Sequence, residues 1–153
     1  MNKGRFYDLF LQQLREIYDG ETQIINALPK VIDFVETKEL KQALKKHLDE
    51  TKNQKKKLEH IFSKIHETAQ GEHCDGIAGM IKECNDIMNK SSPSFVEDAA
   101  LIEGCQKIEH YEIATYGTLR TFAHHLEMDD VANILQSILD EEADADKILT
   151  KLA

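Results

Sequence analysis

Glu21, His47, Glu50, Glu109, Glu112, Glu141, Glu142 and Asp146 are the residues of this chain whose types and spacing could do chemistry. His47 and Glu50 lie one helical turn apart, as do Glu109 and Glu112, and Asp146 follows Glu142 at the same kind of interval. On a helix, residues spaced in this way share a face. Acids on a solvated face mean little. Acids on an apolar face cannot all stay ionised in a poorly hydrated core. Protonation would neutralise some of them. A divalent or trivalent metal pair would neutralise them more fully and would use His47 as well. Many carboxylates with few nitrogens favour iron, with manganese or zinc possible.

Which face the acids occupy depends on the helices that carry them. Two prolines and seven glycines punctuate 153 residues, and the stretches between them have helical period with no convincing alternating strand. The first long helix is predicted from about residue 5 to 34, apolar at Phe6, Phe10, Leu14, Ile17, Tyr18, Ile24, Ile25, Leu28 and Ile32. Pro29 should kink or loosen its last turns. The second is predicted from about 38 to 67 behind Thr37, with Leu40, Leu44, Leu58, Ile61 and Ile65 in its stripe. A loop at about 68–75 leads into a short amphipathic helix at about 76–89, which KSSPS ends. The third long helix starts on Ser94 with Glu97 as a capping box, or on Ser92 with Pro93 in the first helical position, and runs to about 126. After a turn near Glu127, the fourth spans about 128–152, with Val131, Leu135, Ile138, Leu149 and Leu152 inward.

The outer links are short, so each predicts an antiparallel hairpin. The middle link is long and carries its own small helix. One all-α domain over residues 1–153 is expected: two hairpins joined by one long crossover, an arrangement seen in ferritin-like four-helix bundles.

The acids fall on the apolar stripes. Ile17 and Ile24 flank Glu21. Leu44 and Leu58 flank His47, Glu50, Thr51 and Gln54. Ile108 and Tyr116 flank Glu109 and Glu112. Ile138 and Leu149 flank Glu141 and Glu142. Each helix is apolar at both ends of its stripe and polar at mid-height. The halves also resemble each other weakly: Ile17, Glu21 and Leu28 align with Ile108, Glu112 and Leu119, and Leu48, Glu50 and Leu58 align with Leu139, Glu141 and Leu149. The repeat selects Glu141 as the fourth helix's ligand, whereas the heptad walk selects Glu142. His47 is either a ligand or a core histidine hydrogen-bonded to a carboxylate. Tyr18 and Tyr116 each stand near an acid and could donate to it or simply pack. His110 points about 100° from Glu109 and is placed outside the site. His60, His66, His124 and His125 lie off the stripes.

In di-metal bundles two helices give one Glu each and two give Glu-x-x-His. Here the second helix reverses that order, the third offers a pair of acids, and the fourth has no histidine, with Asp146 a candidate in its place. At these residues the chain resembles the YciF-like branch of the ferritin-like proteins, small bacterial proteins linked to stress responses. The resemblance spans nearly the whole chain through YDGETQIINALPK, HLDETKNQ, DAALIEGCQKIEHYEIATYGTLRTFA and LDEEADAD. It implies a ferritin-like bundle, a homodimer, and a di-metal site on Glu21, His47, Glu50, Glu109, Glu112 and Glu141 or Glu142. Oxygen or peroxide chemistry is one expectation. Metal held without turnover, or a helical interaction protein with hydrated acids, are the others.

Composition narrows the partners. The net charge of −9 opposes phosphate contacts, so no nucleic acid is expected. The run KNQKKK at 52–57 alternates with acidic neighbours and reads as a solvated helix face. No run of about 18 apolar residues crosses a membrane, and no secretory signal is read at the N-terminus. Cys74, Cys84 and Cys105 are odd in number and form no CxxC, which argues against a disulfide framework or thiolate zinc. Cys74 reads as loop-borne and open to oxidation, or as an ordinary free thiol. A cytoplasmic protein is the expectation.

Overall fold

The computed structural model describes residues 3–153. Five helices follow in order: α1 (Lys3–Phe34), α2 (Lys38–Lys64), α3 (Asp75–Lys90), α4 (Phe95–His125) and α5 (Asp129–Leu152). Among the described residues there is no strand. α1 continues through Pro29, which lies exposed near its end.

Cap chemistry fixes the boundaries. α2 stops at Lys64, short of the predicted 67. The reason is His66, whose φ of 59° is left-handed. The N–H groups of Glu67 and His66 turn back to the carbonyls of Phe62 and Ser63, at 2.9 and 3.2 Å. That pairing satisfies carbonyls the helix end leaves open. Glu127, at φ 61°, ends α4 in the same way, with Met128 and Glu127 donating to Ala123 and His124 at 2.9 and 3.0 Å. At the start of α4, Ser94 is the cap. Its Oγ accepts from the Val96 N–H at 3.1 Å and its hydroxyl donates to Glu97. Asp98, one turn on, is 3 % exposed. It accepts from the N–H groups of Glu36 and Thr37 at 2.9 and 2.7 Å, tying α4 to the α1–α2 turn.

Side-chain pairs give the topology. Tyr7 reaches Glu67 and Tyr18 reaches Glu59, so α1 and α2 are antiparallel. Lys64 reaches Asp130 and Gln54 reaches Glu141, so α2 and α5 are antiparallel. Gln106 reaches Asp146 and Arg120 reaches Gln136, which does the same for α4 and α5. Tyr116 on Glu21 and the Asp98 clamp make α4 antiparallel to α1. The four long helices therefore form a ring in the order α1, α2, α5, α4. α3 lies outside it, against α1 and α4. This is the ferritin-like bundle of two hairpins, with the crossover carrying α3.

The core is split in two. One apolar cluster joins the C-terminal half of α1 to the start of α2, α3 and the first half of α4, including Leu28, Leu44, Ile77 and Leu101. The other joins the start of α1 to the end of α2, the end of α4 and the start of α5, including Phe10, Leu58, Leu119 and Leu135. Fully burying each such side chain stabilises by about 1.5–3 kcal/mol.

α3 packs closely because α4 is thin beneath it. A methyl group on Gly104 would sit 2.5 Å from Cys84 Sγ, whereas one on Gly117 of the same helix meets nothing within 4 Å. Gly104→Ala should therefore destabilise by about 1–3 kcal/mol through overpacking. Gly117→Ala should stabilise by about 0.5–1 kcal/mol through helix propensity. Chemical denaturation of the two variants checks the pair. Equal effects in one direction would contradict this packing.

Candidate metal centre

Between the two apolar clusters lies a polar layer, one stretch from each ring helix. Glu21 occupies the α1 stripe between Ile17 and Ile24. His47, Thr51 and Gln54 occupy α2 between Leu44 and Leu58. Glu109 and Glu112 occupy α4, and Glu142 occupies α5. Glu21, Glu112 and Glu142 are 0 % exposed, Glu109 1 % and His47 7 %. A donor atom from each of His47, Glu112 and Glu142 lies within 4.8 Å of the other two. His47 Nε2 is 3.9 Å from Glu109 Oε1. Tyr116, one turn past Glu112, donates its O–H to Glu21 Oε1.

Few of these groups have partners. Both oxygens of Glu109, Glu112 and Glu142 lack a hydrogen-bond partner, as do Glu21 Oε2, His47 Nδ1 and Gln54 Oε1. Each buried polar atom left in this way costs about 1–3 kcal/mol. The chain thus brings together oxygen and nitrogen donors to which its own N–H and O–H groups do not answer. Donors of these types could hold a cation, and their chemistry suits a hard or borderline one.

The electrostatics agree. Burial, then the charge of Glu142, pushes Glu109 up to about 9. Burial, then Glu21, pushes Glu142 up to about 8. Burial raises Glu21 to about 7 against the lowering effect of the neighbouring Glu112 and Tyr116 side chains. Glu112 lies well above the carboxylate range because of burial and the neighbouring charges of Glu142 and Glu21. Burial lowers His47 to about 4, so its imidazole is neutral at pH 7 and has a lone pair to give.

Three candidates stand outside this group. Glu50 is half-buried at the rim and pairs with Lys46 at 3.3 Å. Glu141 turns to Gln54, at 3.1 Å, and to Lys57. Asp146 faces Gln106 and His110, at 3.2 and 3.4 Å. Each sits off the buried stripe by the angle that one or three residues impose on a helix. The internal repeat pairs Glu50 with Glu141, and both are rim residues, while the heptad position is that of Glu142. Gln54, buried a heptad beyond His47 on the same stripe, also reaches the layer. Tyr18 donates to Glu59 at 3.0 Å, away from the layer. His60, His66, His110, His124 and His125 are exposed. Cys74 lies in the loop that precedes α3, as expected, but it is closed rather than open to oxidation: it is 1 % exposed, with Sγ 3.5 Å from the Tyr111 hydroxyl. All three thiols are free and buried.

Residues 5–153 match a family described as a domain of unknown function, DUF892. The chain belongs to this family. It is 36% identical over 154 residues to Protein YciF of Escherichia coli (strain K12), spanning 100% of this chain and 93% of that one. The crystal structure of the E. coli stress protein YciF superposes with a TM-score of 0.92 at 35% identity, over 96% of this chain and 93% of that one. YcfI from Rhodopseudomonas palustris gives 0.94 at 40% identity, over 97% and 94%. A Xanthomonas campestris protein at 18% identity shares the fold, with a TM-score of 0.78 over 95% and 90%. The chain is thus a YciF-like member of the family. Among the described residues no helix is long and apolar enough to cross a membrane.

The raised carboxyls predict how the metal-free protein responds to pH. Their folded pKa values exceed the unfolded ones, so the folded state holds extra protons and loses stability as pH rises towards about 9. His47 acts in the opposite sense, but only between about 4 and its ordinary 6.5. Above pH 6.5 the carboxyls act without that opposition. Chelator-treated protein should therefore melt at progressively lower temperature from about pH 6.5 to 9, and Glu112→Gln should flatten the slope. Thermal melts across that window check it, and a melting temperature that rises with pH would contradict it.

Proposed function

We propose that this protein binds two metal ions, iron in preference to manganese or zinc, at the centre of its bundle, and uses them on oxygen or peroxide in a stress response. One observation carries the reading: donor atoms of His47, Glu112 and Glu142 lie within 4.8 Å of one another in a layer shared with buried Glu21 and Glu109, and most of the carboxylate oxygens there are unpartnered. The crystal structure of a relative named as a stress protein, over nearly the whole chain, supports the biological setting. The free thiols suit a reducing cytoplasm.

Glu109, Glu112, Glu142 and His47 would hold one ion. Glu21, whose charge acts on Glu112, would help to hold the other. When bound, such a pair supplies two-electron redox chemistry divided over two centres. The protein's own residues set the conditions. Tyr116 fixes Glu21 Oε1 and leaves Oε2 free for a cation. The apolar clusters above and below exclude bulk water. Both reduce the freedom of the ligands and strengthen their field.

A second reading keeps the ions without turnover, for storage or structure. The small crevice beside His47 and Glu109, about 10 Å³ in volume, favours it, since nothing larger than a water fits. A homodimer is part of the proposal, supported by Phe95 and Val96, each 74 % exposed at the start of α4. Sedimentation should give twice the monomer mass, and Phe95→Ser with Val96→Ser should lower it. An unchanged monomer would remove that part.

Elemental analysis of untagged protein, purified without added metal, tests the centre. About two ions per chain are expected, with the set disrupted in Glu112→Gln. Metal should also raise the melting temperature of the wild type, as a ligand bound only to the folded state must. Glu21→Gln with Glu112→Gln should abolish that increment. Absence of metal, with none taken up anaerobically from ferrous iron, would leave a helical interaction protein. Consumption of oxygen or peroxide by the loaded protein separates redox chemistry from storage.

A further inference from the structure

Glu50 stands apart from the buried acids, and its surroundings suggest a different task. A crevice between α2, α4 and α5 runs from the surface to the polar layer. Its walls include Lys46, Glu50, His47 and Glu109, and its volume is about 10 Å³. At the outer end, Glu50 is 27 % exposed and pairs with Lys46, itself 63 % exposed, at 3.3 Å. At the inner end, Glu109 is 1 % exposed with neither oxygen partnered, and His47 Nδ1 is likewise unpartnered. The acids are graded along this line, part-exposed and paired outside, bare inside. The charge of Glu50 also acts on Glu109 and Glu142, so its field reaches the layer.

The other two candidate acids outside the buried group, Asp146 and Glu141, do not line this crevice, and Asp146 faces Gln106 and His110. Glu141 is held by the Lys57 ammonium and the Gln54 amide. A fixed ammonium there repels an incoming cation. Lys46 is different, because its exposed head can move into water and its pair with Glu50 is of a weak, exposed kind.

Resting on the proposed metal centre, we infer that this crevice is the route by which a divalent cation enters, with Glu50 as the capture carboxylate, Lys46 as its displaceable cover, and His47 with Glu109 as the receiving pair. The cation replaces the Lys46 ammonium on Glu50. His47 and Glu109 would then receive it at the inner end. A space the size of one water does not admit a hydrated ion, so the side chains lining it give way during passage. Glu50 sets the rate of filling, and the final stoichiometry belongs to the buried set.

Anaerobic uptake of Co²⁺ by the chelator-treated full chain, followed by stopped-flow absorption, tests this. Glu50→Gln should slow uptake roughly tenfold at low ionic strength, the scale of electrostatic focusing, and reach the wild-type number of ions per chain. Lys46→Ala should speed it. Glu39→Gln, which removes the same charge from an exposed position in the first turn of α2, should leave it unchanged. Added salt should shrink the difference between Glu50→Gln and wild type. Uptake by Glu50→Gln at the wild-type rate would overturn the route. So would a lower final stoichiometry, which would make Glu50 a ligand. A wild type that takes up no Co²⁺ would remove the centre itself, and the route with it.

Discussion

A layer of buried acid at mid-height divides the core of this protein, and the rest of the structure is arranged around that layer. The apolar clusters above and below it share no buried residue, and among the described residues only the half-buried Tyr111 packs against both. Hydrophobic residues in place of Glu21, His47, Glu109, Glu112 and Glu142 would join the clusters and remove several unsatisfied groups. The chain instead keeps bare carboxylates where water has little access. Protonation answers part of the cost, and it is reflected in the raised pKa of every buried acid in the layer. A bound cation answers it more fully, because it uses oxygens that a single shared proton leaves unpaired.

The supporting architecture follows from the need to hold such a layer. Antiparallel neighbours bring the middles of all four helices to one height, so each contributes at mid-length, where packing on both sides limits movement. The Asp98 clamp and the left-handed caps at His66 and Glu127 fix where the helices begin and end. Tyr116 joins the layer to the apolar cluster beside it through Glu21. α3 covers one side of the ring and sits closely against Gly104.

Much of this was legible in the sequence, and the reasons are local. Helical period with two prolines and few glycines gave four helices and an insert, and loop lengths gave the hairpins. Mid-stripe acids marked Glu21, Glu109, Glu112 and Glu142 because an acid between apolar positions a turn away on each side has one place to point. Rim and interior were harder to tell apart. Glu50 and Glu141 correspond in the repeat and differ from buried positions by a single helical step, which the repeat alone does not resolve. Lys46 and Lys57, which draw these two acids outward, act through side-chain contacts, the second of them between helices. The burial of Cys74 depends on α3 folding back against α1 and α4, a long-range event with no local signal. The stop of α2 depends on a left-handed non-glycine residue, His66, for which helical period gives no warning.

The central claim is that the acid layer is a cation site built by the ring helices. Crystals grown anaerobically with ferrous iron, with anomalous differences recorded on both sides of the iron edge, test it most directly. The account predicts two peaks inside the layer, one bounded by His47, Glu109, Glu112 and Glu142 and the other beside Glu21. Peaks confined to surface acids, or a layer filled only by water and protonated carboxyls, would contradict it.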